Sequence, residues 1–144
     1  MALYSFATVT TNITIGNAAW EIRTSSSDRA RLLEFRYSKG ATLTGTTRWG
    51  LGRPAAIGIT PTSPITFLAE DPADPAGTVQ SALAWGTSPT APVNFFKRDT
   101  MFHAKDHFVR WTWPKGIVIP VSSSIVMWNI TASTVIDVHA LVDE

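Results

Sequence analysis

The sequence predicts an all-β fold: a single-domain, jelly-roll-like β-sandwich or barrel with a proline-rich central loop region. Three observations point there. Apolar side chains recur every second residue, the period of a strand whose faces look in opposite directions. Thr, Val, Ile and Trp, which suit pleated and half-buried surfaces, are abundant. Clusters of turn formers divide the chain at short intervals, as in sandwiches and barrels.

Strands are expected near residues 4–10, 18–25, 30–38, 43–49, 55–60, 65–69, 79–86, 93–97, 107–113, 116–120, 124–130 and 134–142. The first fifteen residues suit an edge strand, or alternatively an arm reaching another subunit. Trp20, Ile22 and Thr24 alternate with Glu21 and Arg23, and Leu33, Phe35 and Tyr37 alternate with Glu34 and Arg36. Ser27-Asp28 ahead of Arg29-Ala30-Arg31-Leu32-Leu33-Glu34 offers a helix N-cap and good helix formers. Alternation through Tyr37 favours strand there. Gly50-Leu51-Gly52-Arg53-Pro54 lacks the third glycine and following helix of a phosphate loop, and reads as a turn. Six of the nine prolines fall between Pro61 and Pro92, where their missing N–H predicts long connections or edges. Trp113-Pro114-Lys115-Gly116 reads as a turn. Near the end, Ile136, Val138, Ala140 and Val142 share one uniformly apolar parity and should face the core.

Composition narrows the function. A chain of 144 residues fits one domain. Charged residues make up only 16% of it, below the roughly 25% usual for soluble domains, which leans toward a face covered by a partner. A net charge of +1 gives no sign of a nucleic-acid partner. The chain has no cysteine, excluding disulfides and thiolate metal sites, and no stretch long enough to span a membrane as a helix. Seven cations between Arg23 and Arg53 precede Glu70, Asp71 and Asp74. Such charges read either as solvated faces or as a polar contact between neighbouring copies.

No constellation of residues suggests catalysis, and the chain reads as a non-enzyme without a cofactor or metal. His103 and His107, with Asp106 beside the second, fall in a stretch expected to be loop, and His139 is far along the chain. Glu21, Glu34 and Asp137 could pair as glycosidase acids, but nearby arginines make ion pairs the simpler reading. There is no Gly-x-Ser-x-Gly elbow. Six tryptophans are the sharpest remaining signal: most should be core, with Trp49 and Trp85, each beside a glycine at a strand end, the candidates for exposure.

Trp20-Glu21-Ile22-Arg23, Gly50-Leu51-Gly52-Arg53-Pro54-Ala55-Ala56, the Glu70-to-Pro75 loop, Trp113-Pro114-Lys115-Gly116-Ile117-Val118-Ile119-Pro120 and Trp128-Asn129-Ile130 resemble segments of small virion proteins of tailed bacteriophages. Some of those resemble capsid decoration, or cement, proteins. The resemblance implies a structural protein made in a host cytoplasm and located on the capsid surface of the virion. It implies a homo-oligomer, often a trimer, that binds the lattice of the major capsid protein and stabilises the shell. The sandwich would trimerise through apolar strand faces, with the 60–92 connections or the N-terminal arm gripping the shell. Candidate interface residues are Trp49, Arg53, Glu70, Asp71, Asp74 and Trp85. The alternative is a carbohydrate- or receptor-binding domain of a tail fibre, with Trp49, Trp85 or Trp111 in a shallow groove.

Overall fold

Residues 2–11, 14–39, 45–62, 64–101, 108–131 and 134–144 are described by a computed structural model. In chain order its strands are β1 (Leu3–Val9), β2 (Ala18–Arg23), β3 (Ala30–Ser38), β4 (Thr47–Pro54), β5 (Ile59–Pro61), β6 (Ile65–Thr66) and β7 (Leu68–Ala69). They continue as β8 (Gln80–Ala82), β9 (Trp85–Thr87), β10 (Pro92–Met101), β11 (Phe108–Ile119), β12 (Ser124–Asn129) and β13 (Asp137–Asp143). No helix occurs among the described residues, and the contested segment before Glu34 is strand β3. The turn ahead of it is closed by Asp28, which accepts hydroxyl hydrogens from Ser27 and Ser25, and those bonds hold its carboxyl below the usual range.

The strands form a β-sandwich. A five-stranded sheet runs β11-β3-β13-β1-β7, a six-stranded sheet β10-β4-β12-β2-β8-β6, and β5 pairs with β9 apart from both. The long strands pair antiparallel as β1 with β13, β2 with β12, β3 with β11 and β4 with β10. The chain is therefore one two-stranded ribbon whose successive pairs fall alternately into the two sheets. Contacts of β13 with β3 and of β12 with β4 close each sheet.

Alternation decides which side chains line the space between the sheets. Trp20, Ile22, Trp49, Leu51, Ile125 and Met127 point inward from the six-stranded sheet, and Phe6, Phe35, Tyr37, Val138, Ala140 and Val142 from the other. The expected core parity at the C-terminal strand is thus the observed one. Aromatic rings run across the sandwich in contact: Phe67 on Phe6 at 5.0 Å, Trp20 on Phe35 at 5.0 Å, and Trp111 on Tyr37 at 5.3 Å. Such pairs add about 0.5–1.5 kcal/mol each beyond their burial.

Strict alternation fails at one expected place. Leu32, not Leu33, faces the core beside Phe35, because the β3 register shifts against both β13 and β11 between residues 32 and 34. A bulge adds a residue and flips the parity below it. Two expected turns are also corrected. Residues 50–54 continue β4: a Cβ on Gly50 would lie 2.5 Å from the Phe95 ring, and one on Gly52 2.7 Å from the Asn94 carbonyl oxygen. These glycines mark the close approach of β10, not a reversal of the chain. Residues 113–116 form an irregularity inside edge strand β11, with Gly116 at φ 65°. The expected single strands at 65–69 and 79–86 are each divided in two, and β6 and β7 belong to different sheets.

Within the connection from residue 55 to 91, the segments around Gly58 and Trp85 fold back onto the outer surface of the six-stranded sheet, while β6 and β8 extend that sheet and β7 the other. The anchor is Glu21, whose side chain is fully buried although its parity points outward. One carboxylate oxygen accepts the Trp85 indole N–H at 2.6 Å, and the other accepts the Gly58 amide at 3.2 Å. Arg23 lies 3.6 Å from Glu21 and donates to the Gly58 carbonyl at 3.0 Å. The Trp85 ring covers Gly58 so closely that a Cβ there would sit 2.2 Å from it. Beneath this flap, Trp85 and Phe95 complete a second apolar cluster with Ala18, Val126 and Trp128. Further along, Tyr4 donates to the Pro75 carbonyl at 3.1 Å, and the Glu144 carboxylate accepts the Thr78 amide.

Two expectations follow. Glu21→Ala removes the acceptor on which the flap converges and should cost about 2–4 kcal/mol in urea unfolding. Amide exchange should speed up in residues 55–61 and 85–87 while β12 stays protected. The second concerns alkali. Burial, and after it the Asp99 carboxylate, pushes the Tyr37 phenol far above its ordinary pKa, and its oxygen has no hydrogen-bond partner among the described residues. The unfolded chain ionises this tyrosine near pH 10 while the native one keeps its proton. Its contribution to stability is therefore intact below that pH and lost above it, by about 1.4 kcal/mol per pH unit. Tyr37→Phe should remove that part of the alkaline slope in urea unfolding between pH 9 and 11.

Candidate functional site

The flap leaves the two sheets unequal. The outer surface of the six-stranded sheet lies partly beneath the chain's own connection, whereas that of the five-stranded sheet carries no further segment among the described residues. Parity fixes what the open surface displays. Leu3, Ser5, Ala7 and Val9 project from β1, and Asp137, His139 and Leu141 from β13. Glu34, Arg36 and Ser38 project from β3, with Phe108, Arg110 and Thr112 on β11.

Register aligns these residues into rows. Val9, Asp137, Ser38 and Phe108 form one, and Ala7, His139, Arg36 and Arg110 the next. Ser5, Leu141, Glu34 and Thr112 form a third, with Leu68 beside Ser5 on β7. Small side chains in the middle rows leave a groove of about 420 Å³ lined by Ala7, Val9, Arg36, Ser38, Asp137 and His139. A second hollow of about 310 Å³, sharing Ala7 and His139, continues toward Ile65 and Leu68. Apolar residues border the groove: Leu68 is 75% exposed and Phe108 62%, and Leu3, Val9 and Val135 are also exposed.

Two of the face's charged side chains, Glu34 and Arg110, are engaged with each other. Arg110 donates to the Glu34 carboxylate at 2.5 Å, an ion pair between adjacent strands. The Arg36 guanidinium lies 5.8 Å from the Phe108 ring centroid. The face is therefore amphipathic, with hydrogen-bonding groups in the hollow and apolar side chains around it, a pattern suited to contact. Among the described residues no group of three His, Cys, Asp or Glu is placed to hold a metal ion. His103, His107 and Asp106 lie outside the described residues.

The expected interface residues are dispersed. Trp49, expected to be exposed, is fully buried: it points inward from the middle of a β4 that runs on to Pro54. Trp85 is half-buried against Gly58 and Glu21. Arg53 is exposed and reaches across the sandwich, donating to the Val118 carbonyl at 2.6 Å and lying 5.0 Å from the Phe96 ring centroid. Glu70 and Asp71 are exposed and Asp74 half-buried in the loop after β7, away from the other three. Trp111, the other aromatic proposed for a sugar platform, stacks on Phe35 within the core. Sequence reasoning missed the open face itself. Its signal was Glu21 in the otherwise apolar run Ala18-Ala19-Trp20-Glu21-Ile22, which marks the opposite face as covered.

No family model, curated protein or solved structure matches the chain. Leu68 and Phe108 support little of the core, so Leu68→Ser and Phe108→Ser should each change unfolding free energy by less than about 1 kcal/mol in urea titrations.

Proposed function

We propose that this chain is a non-enzymatic structural protein of a phage virion, a jelly-roll-like sandwich that decorates the capsid as an oligomer and stabilises the shell. The observation that carries the reading is the outer surface of the five-stranded sheet, open among the described residues, with exposed apolar side chains at its border. Exposed apolar surface of this kind, gathered on one face, is a mark of an interaction site. The sequence suggested the 60–92 connection as the grip on the shell. Because residues 58 and 85 are tied to Glu21 beneath the flap, we assign the larger contact to the open face. Strength would come from many copies, each adding a modest contact.

A second reading has a specific observation behind it. The groove combines Arg36, Ser38, Asp137 and His139 with the exposed Phe108 ring nearby, and hydrogen bonding beside an aromatic face is how sugars are held. This would suit a carbohydrate- or receptor-binding domain of a tail fibre, using Phe108 instead of the tryptophans.

The test uses particles assembled without this chain. Purified protein should bind them in hundreds of copies and raise their resistance to heat, and Leu68→Ser with Phe108→Ser should weaken binding at least tenfold while the protein remains folded. Absence of binding and unchanged heat resistance would reject the proposal. A few copies per particle, with glycan-array binding lost in Phe108→Ala, would replace it with the fibre reading.

A further inference from the structure

The chain's near-neutral net charge conceals a division. Strands β3, β4, β10 and β11 carry eight cations: Arg31 and Arg36, Arg48 and Arg53, Lys97 and Arg98, Arg110 and Lys115. All eight are exposed. Only two carboxylates, Glu34 and Asp99, accompany them on these strands. The remaining strands hold a single cation, Arg23, and it is occupied with Glu21 and Gly58. The 55–91 connection contributes Glu70, Asp71 and Asp74 and no cation at all.

Topology gathers the two groups at opposite sides of the sandwich, with Arg36 and Arg110 projecting from the open face next to the basic edge and Arg110 paired with Glu34. Strands β11 and β3 end one sheet, and β10 and β4 end the other. These ends lie on the same side of the sandwich, because Arg53 of β4 bonds the Val118 carbonyl of β11. At the far side β7 and β6 are the edge strands, separated only by Phe67, and the acidic loop follows β7 directly. That loop lies against the last residue: Glu144 accepts the Thr78 amide. Burial, then the carboxylates of Glu144 and Asp74, raises the Tyr4 phenol, placing both acids near its hydroxyl. Each edge also exposes apolar side chains: Val93 (84%) and Phe96 (37%) on β10, and Leu68 (75%) and Ile65 (46%) on β7 and β6.

We infer that the basic β10/β11 edge of one copy binds the acidic β6/β7 edge of the next, so that the chain associates with itself head to tail. The occupant is a second copy because each edge carries the charge that the other lacks, and both expose apolar side chains that contact would bury. Contacts of this kind are heterologous and close into rings when the rotation permits. Strand addition is not the mode. Edge strand β10 begins at a proline, shifts register twice against β4 and presents Lys97 and Arg98, all devices that block an incoming strand. Side chains make the contact.

This inference deepens the self-assembly part of the proposed function, and its test needs only the pure chain, so it can fail while shell binding succeeds, or the reverse. Sedimentation equilibrium at about 50 mM salt should show discrete oligomers that dissociate at about 500 mM, where surface charges are screened. Reversal of one edge, Arg48→Glu with Lys97→Glu, should weaken association at least tenfold. Reversal of the other, Glu70→Lys with Asp74→Lys, should do the same. Asp71 is left in place because its carboxylate accepts the Ala73 amide and holds the turn. The chain carrying both reversals should associate again, since its edges are again complementary. Unchanged circular dichroism and melting temperature certify the folds. A monomer at low salt, association indifferent to either reversal, or a folded double reversal that stays monomeric would each overturn the inference.

Discussion

A carboxylate withdrawn from water must be met by donors or it destabilises the fold by several kcal/mol, and Glu21 places that condition on this chain. It belongs to a strand buried on both faces, and its partners come from positions 58 and 85, far away in sequence. Satisfying it brings the segments at Gly58 and Trp85 back over the six-stranded sheet, while among the described residues the outer surface of the five-stranded sheet stays open. One acid thus determines which side of the sandwich is finished and which is available. The neighbouring Arg23 completes the arrangement by holding the Gly58 carbonyl, so both backbone polar groups of that residue are accounted for.

Much of this was legible in the sequence, because strand existence depends on local alternation. The C-terminal core parity and strands near 18–25, 30–38 and 124–130 needed nothing beyond neighbouring residues. What could not be read depends on residues far away. Gly50 and Gly52 look like turn formers until Phe95 and Asn94 are placed over them. Trp49 looked like a strand-end ring only while the strand was thought to stop there. Leu32 and Leu33 are interchangeable in an alternating pattern, and only the shift against β13 selects Leu32. The sequence separation of the partners explains these failures: β1 pairs with β13, nearly the whole chain away.

The candidate site was less legible than the fold for a related reason. A surface is defined by what does not cover it, and covering is a tertiary event. Likewise, a net charge near zero discards the position of every charge. The arginine cluster between Arg23 and Arg53 was visible, but Lys97, Arg98, Arg110 and Lys115 join it only when β10 and β11 return beside β4 and β3. Ribbon pairing is what gathers cations from two distant stretches onto one side.

The two surfaces meet at Leu68 and Ile65, which border the second hollow of the open face and also belong to the β6/β7 edge. The open surface lies along the normal of the five-stranded sheet, whereas the charged margins lie in the plane of the sheets, at right angles to it. A copy resting its open face on a support would keep Arg48, Lys97, Glu70 and Asp74, which lie off that face, free for lateral neighbours. Contacts of the two kinds would then reinforce each other, because a copy held by its neighbours is already positioned over the support and its second attachment becomes intramolecular. The two contacts would differ in chemistry: apolar side chains at the border of the face toward the support, and screened attraction of opposite charges between copies. A single fold would thereby serve both adhesion and lateral cohesion, and ionic strength would be the variable that distinguishes them.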